Sequence, residues 1–315
     1  MSTPPVARNL ALVLSGGGNR AFYQLGLLNR WWPRLAPRIG AVAACSAGAC
    51  VATMFLADRR PAARAVFLAR TRGIRRNIEW RNALRGRRLA PHGEVYRAIM
   101  LAIGEDGGLE RLRDQPFPTL VTASRFPDVL GAGQAAVVGI TAYQLEKALR
   151  RPFLHPRWGR ALGFRPACFD ARDCQTPDDL ADLVLASSAT PPFTPVGSYR
   201  GQALLDGGLV DNAPAFVAES WPGIEKVIVL LTRPAPPALV GRQGTRLYLA
   251  PGEVLPVGRW DYTRPEGVDV AIAKGEQDAD AFEATLDSFL DGRCPTSEPE
   301  GVARQATSAS RPSTG

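Results

Sequence analysis

Histidine is nearly missing from this chain: His92 and His155 are the only two in 315 residues. Both precede Asp206, so the serine, carboxylate, histidine order of the α/β hydrolases cannot be built around that acid. Lysine is almost as scarce, with Lys147, Lys226 and Lys274 alone, so the formal charge of +8 rests on arginine. The five cysteines form no Cys-x-x-Cys pair, and an odd number suits a disulfide framework poorly; a reducing compartment is expected. No run approaches the roughly 20 apolar residues of a membrane span. Met1 to Arg8 also lacks the charged-then-apolar pattern of a signal peptide. The expected location is therefore the cytoplasm, with peripheral contact at the inner membrane face. Acidic residues are absent before Asp58, and no metal-ligand cluster stands out, so neither a metal nor a cofactor is expected.

What is present is enough apolar residue, 45%, to bury a sizeable core. One domain is expected over 1–292. The Ser-, Thr-, Pro- and Gly-rich stretch 293–315 is expected to be a disordered tail. Asn9 to Leu14 reads as a buried strand, Arg20 to Leu35 as a helix and Ile39 to Cys45 as a second strand, which is a βαβ unit. Further strands are expected at Pro118 to Ala123, Gln202 to Leu205 and Lys226 to Leu231. Further helices are expected at Ala62 to Arg70, Glu94 to Ile103, Tyr143 to Arg150 and Gln277 to Leu290. Thr176-Pro177-Asp178-Asp179 combines a cap residue, proline at the first helical position and an acid three after the cap, so a helix should run from Pro177 to about Ser187. This alternation predicts an α/β fold with a mostly parallel central sheet and helices on both faces.

Ser46 sits in Ala44-Cys45-Ser46-Ala47-Gly48, a small-residue turn between a strand-like and a helix-like run. A serine there projects from a sharp corner with a helix N-terminus beneath it, the geometry of an activated nucleophile. With so little histidine available, a carboxylate is the expected base. Cys45 is the rival nucleophile, but strand alternation turns it away from Ser46 and into the core, where Cys50 is also expected.

Gly16-Gly17-Gly18-Asn19-Arg20 follows a strand and opens a helix, where backbone N–H groups converge on anything anionic. Gly16-x-Gly18-x-x-Ala21 matches the dinucleotide fingerprint, but the acid that should follow roughly 20 residues later is missing. No Gly-Lys-Ser/Thr follows, so a Walker phosphate loop fails too. A cradle for a transient oxyanion remains, beside the alternative of a purely structural turn. Asp206-Gly207-Gly208 ends an apolar strand with a carboxylate; its alternative is a turn aspartate bonding its own backbone. Two adjacent strand ends in such a sheet would bring the glycine amides and Ser46 to one edge.

Arg70, Arg72, Arg75, Arg76, Arg81, Arg85, Arg87 and Arg88 alternate with Ile74, Ile78, Trp80 and Leu84 in an expected helical insertion over about 59–115. The segment suits either a lipid interface or a solvated charged face.

Together these residues resemble the patatin-like family of lipid acyl hydrolases. Gly16-Gly17-Gly18-Asn19-Arg20 is similar to its oxyanion loop with the trailing basic residue, Ala44 to Gly48 to its nucleophile elbow, and Asp206-Gly207-Gly208 to its Asp-Gly-Gly/Ala motif. Ala186 to Val196 and Val210 to Pro214 are similar to the flanking segments, so the resemblance runs from Asn9 to Leu231. Ala44 and Ala21 replace glycines that many members carry. The resemblance implies a Ser46–Asp206 dyad, an oxyanion hole from Gly16, Gly17 and Gly18, and supporting roles for Arg20, Gly48, Gly207 and Gly208. It further implies hydrolysis of phospholipid or other acyl-ester lipids at a peripheral membrane surface, with no nucleic acid as partner and the oligomeric state open. Two alternatives remain: an α/β hydrolase in which His155 serves Ser46 with an earlier acid such as Asp128, and an inactive membrane or nucleic-acid binder using the arginine segment.

Overall fold

The computed structural model describes residues 7–79, 89–150 and 154–292. The chain runs β1 (Leu10–Leu14), α1 (Phe22–Leu35), β2 (Ile39–Cys45), α2 (Ala47–Leu56), α3 (Arg60–Thr71), α4 (His92–Gly104), α5 (Gly108–Arg113), β3 (Thr119–Arg125), α6 (Ala132–Leu149), α7 (Trp158–Ala161) and β4 (Arg165–Asp170). It continues through α8 (Pro177–Ser187), β5 (Gly197–Tyr199), β6 (Gln202–Leu204), α9 (Ala215–Glu219), β7 (Lys226–Leu230), β8 (Gly241–Gln243), β9 (Arg246–Leu249), α10 (Gly267–Ala281) and α11 (Glu283–Leu290).

Seven strands form the central sheet in the order β4-β3-β2-β1-β7-β9-β8. The five inner strands are parallel, and β4 and β8 close the edges antiparallel. Apolar alternation along β1 explains the layering: Leu10, Leu12 and Leu14 join the large core beneath α1, α2 and α4, while Ala11 and Val13 join a smaller core with Ala215, Val217 and Ala218 of α9. Helices therefore cover both faces, as the sequence predicts. The crossovers β1-α1-β2 and β2-α2-to-α5-β3 leave the C-terminal ends of β1, β2 and β3 side by side at one rim, where open α/β sheets place their ligands.

Helix α8 starts as expected: Thr176 Oγ1 accepts the Asp179 N–H at 3.1 Å and the Asp179 carboxylate accepts the Thr176 N–H in return. Four expectations need correction. Gln202 to Leu205 is no strand of the central sheet; Gln202 and Ala203 are exposed, and the segment folds back on β5 as a hairpin through a turn in which Arg200 and Gly201 both take positive φ. Strands β4 and β8 are edge elements whose proline-bearing or short polar runs give no buried-strand signal, and the inner strand β9, buried over 247–249, is only four residues long. Helix α6 begins at Ala132 rather than Tyr143, because its inward positions are alanine and glycine and carry little apolar contrast. The segment Gln277 to Leu290 is split at Phe282 between α10 and α11. Of the arginine segment, Arg70, Arg72, Arg75, Arg76, Ile74 and Ile78 are described; Trp80, Arg81, Leu84, Arg85, Arg87 and Arg88 lie outside the described residues, as does the expected tail 293–315.

Candidate active site

Ser46 caps the N-terminus of α2 with φ 53° and ψ −129°, a backbone conformation that a side-chain-bearing residue adopts only when its surroundings impose it. Three contacts impose it here. The Ser46 N–H donates to Ser187 Oγ at 2.8 Å, Ser187 Oγ donates in turn to the Thr122 carbonyl at 2.7 Å, and the Ser46 carbonyl accepts the Ala49 N–H at 2.9 Å. At Gly48, a Cβ would lie 2.4 Å from the Leu14 carbonyl oxygen, so only glycine lets α2 cross this close to the end of β1. Ala44, in place of the elbow's first glycine, is fully buried within the large core.

The Ser46 Oγ donates to Asp206 Oδ2 at 3.0 Å. The other carboxylate oxygen accepts the Gly208 N–H at 2.7 Å. Asp206 is fixed from behind: its N–H donates to Ala189, its carbonyl accepts Ser124 Oγ, and the preceding Leu205 exchanges both backbone bonds with Ser124 at 2.9 Å. Residues 160 apart in sequence thus meet because β3 carries the Leu205–Asp206 segment to the end of β2. Asp206 keeps a little surface toward the pocket, but protein encloses the carboxylate; that desolvation raises its pKa, against the lowering effects of Gly208, Ser46 and the more distant Arg259 charge. Gly207 packs where a Cβ would strike the Thr122 carbonyl at 2.2 Å, and so lets this turn reach β3.

The glycine loop stands next to Ser46, as adjacent β1 and β2 require. One expected oxyanion donor is corrected: the Gly16 N–H is spent on the Asn212 carbonyl at 3.0 Å. Gly16 is instead the anchored base of the loop, its carbonyl accepting from Asn212 Nδ2 and Thr232 Oγ1. Gly17 and Gly18 line the pocket, and Arg20 Nε donates to the Gly17 carbonyl at 3.3 Å, bracing the loop. Burial and the neighbouring Arg259 and Arg233 charges lower the Arg20 pKa to about 10, which leaves it a cation at neutral pH.

The pocket above these groups is mainly apolar. Phe22, Val51, Ile99, Leu209 and Trp260 are among its apolar lining, and Ser46, Asp206 and Asn212 among its polar lining. Tyr96, Arg259 and Trp260 also line it and were not singled out from sequence; Tyr96 OH donates to the Ser46 carbonyl at 3.4 Å, and only the aromatic content of those segments hinted at a pocket. Cys45 is fully buried, with its thiol pKa raised by burial, and Cys50 is pushed up to about 12 in the same way, so neither is a nucleophile at neutral pH.

Neither histidine bonds Ser46 or Asp206. His92 Nδ1 meets the Tyr262 hydroxyl in the pocket wall, where burial lowers its pKa to about 4. The His155 alternative is corrected outright: His155 Nδ1 bonds Asp211 at 2.9 Å and its Nε2 the Tyr248 hydroxyl at 3.1 Å, while Asp128 pairs with Arg125 at the surface. Tyr248 belongs to the smaller core on the face of the sheet away from α2. Among the described residues no group of His, Cys, Asp and Glu could hold a metal ion, and no helix is long and apolar enough to cross a membrane.

No curated protein sequence matches the chain. Among solved structures, VipD from Legionella pneumophila aligns at 12% identity and a TM-score of 0.43, over 91% of this chain and 68% of that one. Human GIVD cytosolic phospholipase A2 aligns at 12% identity and a TM-score of 0.37, over 92% of this chain and 63% of its own length, so the present chain spans less than two thirds of that protein. The sequence model described as patatin-like phospholipase matches residues 12–219. A match of that extent covers well over half of the chain, and it makes this protein a member of the patatin-like phospholipase family, a lipid acyl hydrolase at the level of the family.

Proposed function

We propose that this protein cleaves fatty-acyl esters of phospholipids or lysophospholipids, with Ser46 as nucleophile, Asp206 as general base and the Gly17 and Gly18 amides as oxyanion donors. The observation that carries this reading is the 3.0 Å bond from Ser46 Oγ to Asp206 Oδ2 within a mainly apolar pocket. Asp206 takes the hydroxyl proton as Oγ attacks the ester carbonyl. The tetrahedral oxyanion is met by the loop amides and the positive end of α2. Collapse expels the lipid alcohol, which takes the proton back from Asp206 and leaves an acyl-serine. Water, activated by the same carboxylate, then releases the fatty acid and restores Ser46.

A free aspartate, with a pKa of about 3.9, is a weak base for a hydroxyl. Desolvation of Asp206 narrows that gap, and Ser46 and Gly208 fix the carboxylate in place. We place this activity in the cytoplasm, at a peripheral membrane surface. The test is hydrolysis of a short-acyl ester and of a phospholipid by parent and Ser46→Ala protein: turnover by the parent alone supports the reading, and equal turnover by both contradicts it.

A further inference from the structure

A helix on a protein surface ordinarily buries its large aliphatic side chains and shows small or polar ones to water. Helix α6 departs from this, turning three of its aliphatics outward. Its buried positions are Ala135, Ala136, Gly139, Ala142 and Glu146, with Val138, Ile140 and Tyr143 partly buried beside them, and a Cβ at Gly139 would meet the Phe164 ring at 2.9 Å. Val137 and Leu149 stand outward at 68% and 71% exposure, with Leu145 at 49% between them. These three recur at multiples of four residues and therefore lie along one inclined ridge of the helix, across an outward arc of about 120°. Val129, just before α6, is 89% exposed, and Leu162, just after the neighbouring α7, is also exposed. Single exposed aliphatics need no explanation, but such a cluster on one helix marks an interaction surface.

Two observations say what covers it. First, Ile140, Tyr143 and Gln144 of the same helix line the pocket that holds Ser46 and Asp206, and Val137 stands one turn before Ile140, so the outward face of α6 adjoins the pocket wall at that end. Second, the described residues of 125–165 include six Lys or Arg against two Asp or Glu; Arg125, Arg150 and Arg160 pair with Asp128, Glu146 and Asp211, and Glu146 is buried on the inner side of α6, where it also accepts the Arg157 and Trp158 amides. An apolar stripe in a basic surround fits the boundary between headgroups and acyl chains of an anionic bilayer. The geometry points to the outer face of α6 as the surface that seats this protein on anionic lipid membranes and opens its pocket toward a lipid substrate. The inference rests on the lipid-hydrolase reading for what enters the pocket, but the docking itself does not require turnover. It moves the membrane contact from the arginine segment considered in the sequence to a different face.

The experiment is sedimentation of the Ser46→Ala protein with vesicles of phosphatidylcholine and phosphatidylglycerol. We expect binding, and we expect Val137→Asp with Leu149→Asp on that background to weaken it by about tenfold or more. Val254→Asp changes a comparably exposed aliphatic outside α6 and should leave binding as it was. In protein retaining Ser46, the double substitution should keep hydrolysis of a dissolved short-acyl ester within about twofold, which also shows that it folds. Vesicle binding unchanged by the double substitution, an equal loss from Val254→Asp, or a loss of self-association in its place would overturn the assignment. Absence of ester turnover in the parent would contradict the proposed function and leave the vesicle result standing.

Discussion

Asp206 and Asp211 lie on one short stretch of chain, yet their neighbours give them opposite characters. Asp211 is bonded to the His155 ring, faces Arg160 at 3.5 Å and accepts the Ala213 N–H, so its charge is held on all sides. Asp206 has no cation in hydrogen-bonding contact among the described residues; it meets a serine hydroxyl and one amide, and desolvation raises its pKa. The histidine–aspartate pair resembles catalytic machinery more closely than the serine–aspartate pair does. It lacks a nucleophile and stands outside the pocket lining. The lesson is that a carboxylate becomes a base through what is withheld from it, and a well-compensated one becomes a strut.

The strongest way to break this contrast is to exchange the two acids for amides. Asp206→Asn should lower kcat/KM by about 10³-fold or more, since both general-base steps are lost, and Ser46→Ala should leave only background. Ionised Asp206 is disfavoured in the folded state, so its contribution to stability is full when it is protonated and is lost as pH rises through the raised folded pKa. Asp206→Asn should therefore unfold at a higher temperature than the parent at neutral pH, in a calorimetric scan. A loss of both activity and stability would instead make Asp206 a structural residue.

Next in size is the loop. A Cβ on Gly17 would lie 2.3 Å from Thr232 Oγ1, so Gly17→Ala should shift the loop and reduce kcat by about 10²- to 10³-fold with little change in folding, read by steady-state kinetics beside circular dichroism. Asp211→Asn should do the opposite. It leaves His155 and Arg160 without their acid and should cost about 1–3 kcal/mol in denaturant unfolding while activity in the folded protein stays within a few-fold.

The smallest effects are in pH dependence. The acid limb of kcat/KM should lie above the ordinary aspartate range, and Arg259→Gln should move it higher, because the Arg259 cation helps to lower the Asp206 pKa. His92 sharpens the same point. Its folded pKa of about 4 lies below its usual 6.5, so as pH falls through that interval the unfolded chain binds a proton that the folded protein refuses, and stability declines. His92→Phe should remove that share of the decline without creating an acid limb in activity.

Much of this was legible from residues. Leu10 to Leu14 and Ile39 to Cys45 read as adjacent buried strands because every side chain in them is small or apolar, and both glycine-bearing turns follow directly. The Thr176 capping box marked α8 to the residue. Other features were hidden by their chemistry. Alanines and glycines on the inner side of α6 blunt the period that would reveal it, so its first half and its outward stripe were missed. The commitment of the Gly16 amide to Asn212 and the bracing of Ser46 by Ser187 are contacts across 196 and 141 residues, which no local pattern announces. Arg259 and Trp260 come to the pocket from a loop of mixed composition with no motif around them.

The central claim is that Ser46 is activated by Asp206 without histidine. Its most direct test is the rate at which an organophosphonate ester probe forms an adduct on the Ser46 peptide, followed by mass spectrometry in the parent, a His92→Phe/His155→Gln protein and Asp206→Asn. The account expects labelling of Ser46 at near-parent rate in the folded double-histidine variant and its loss in Asp206→Asn. Labelling that persists without Asp206, or that disappears with the histidines, would contradict it.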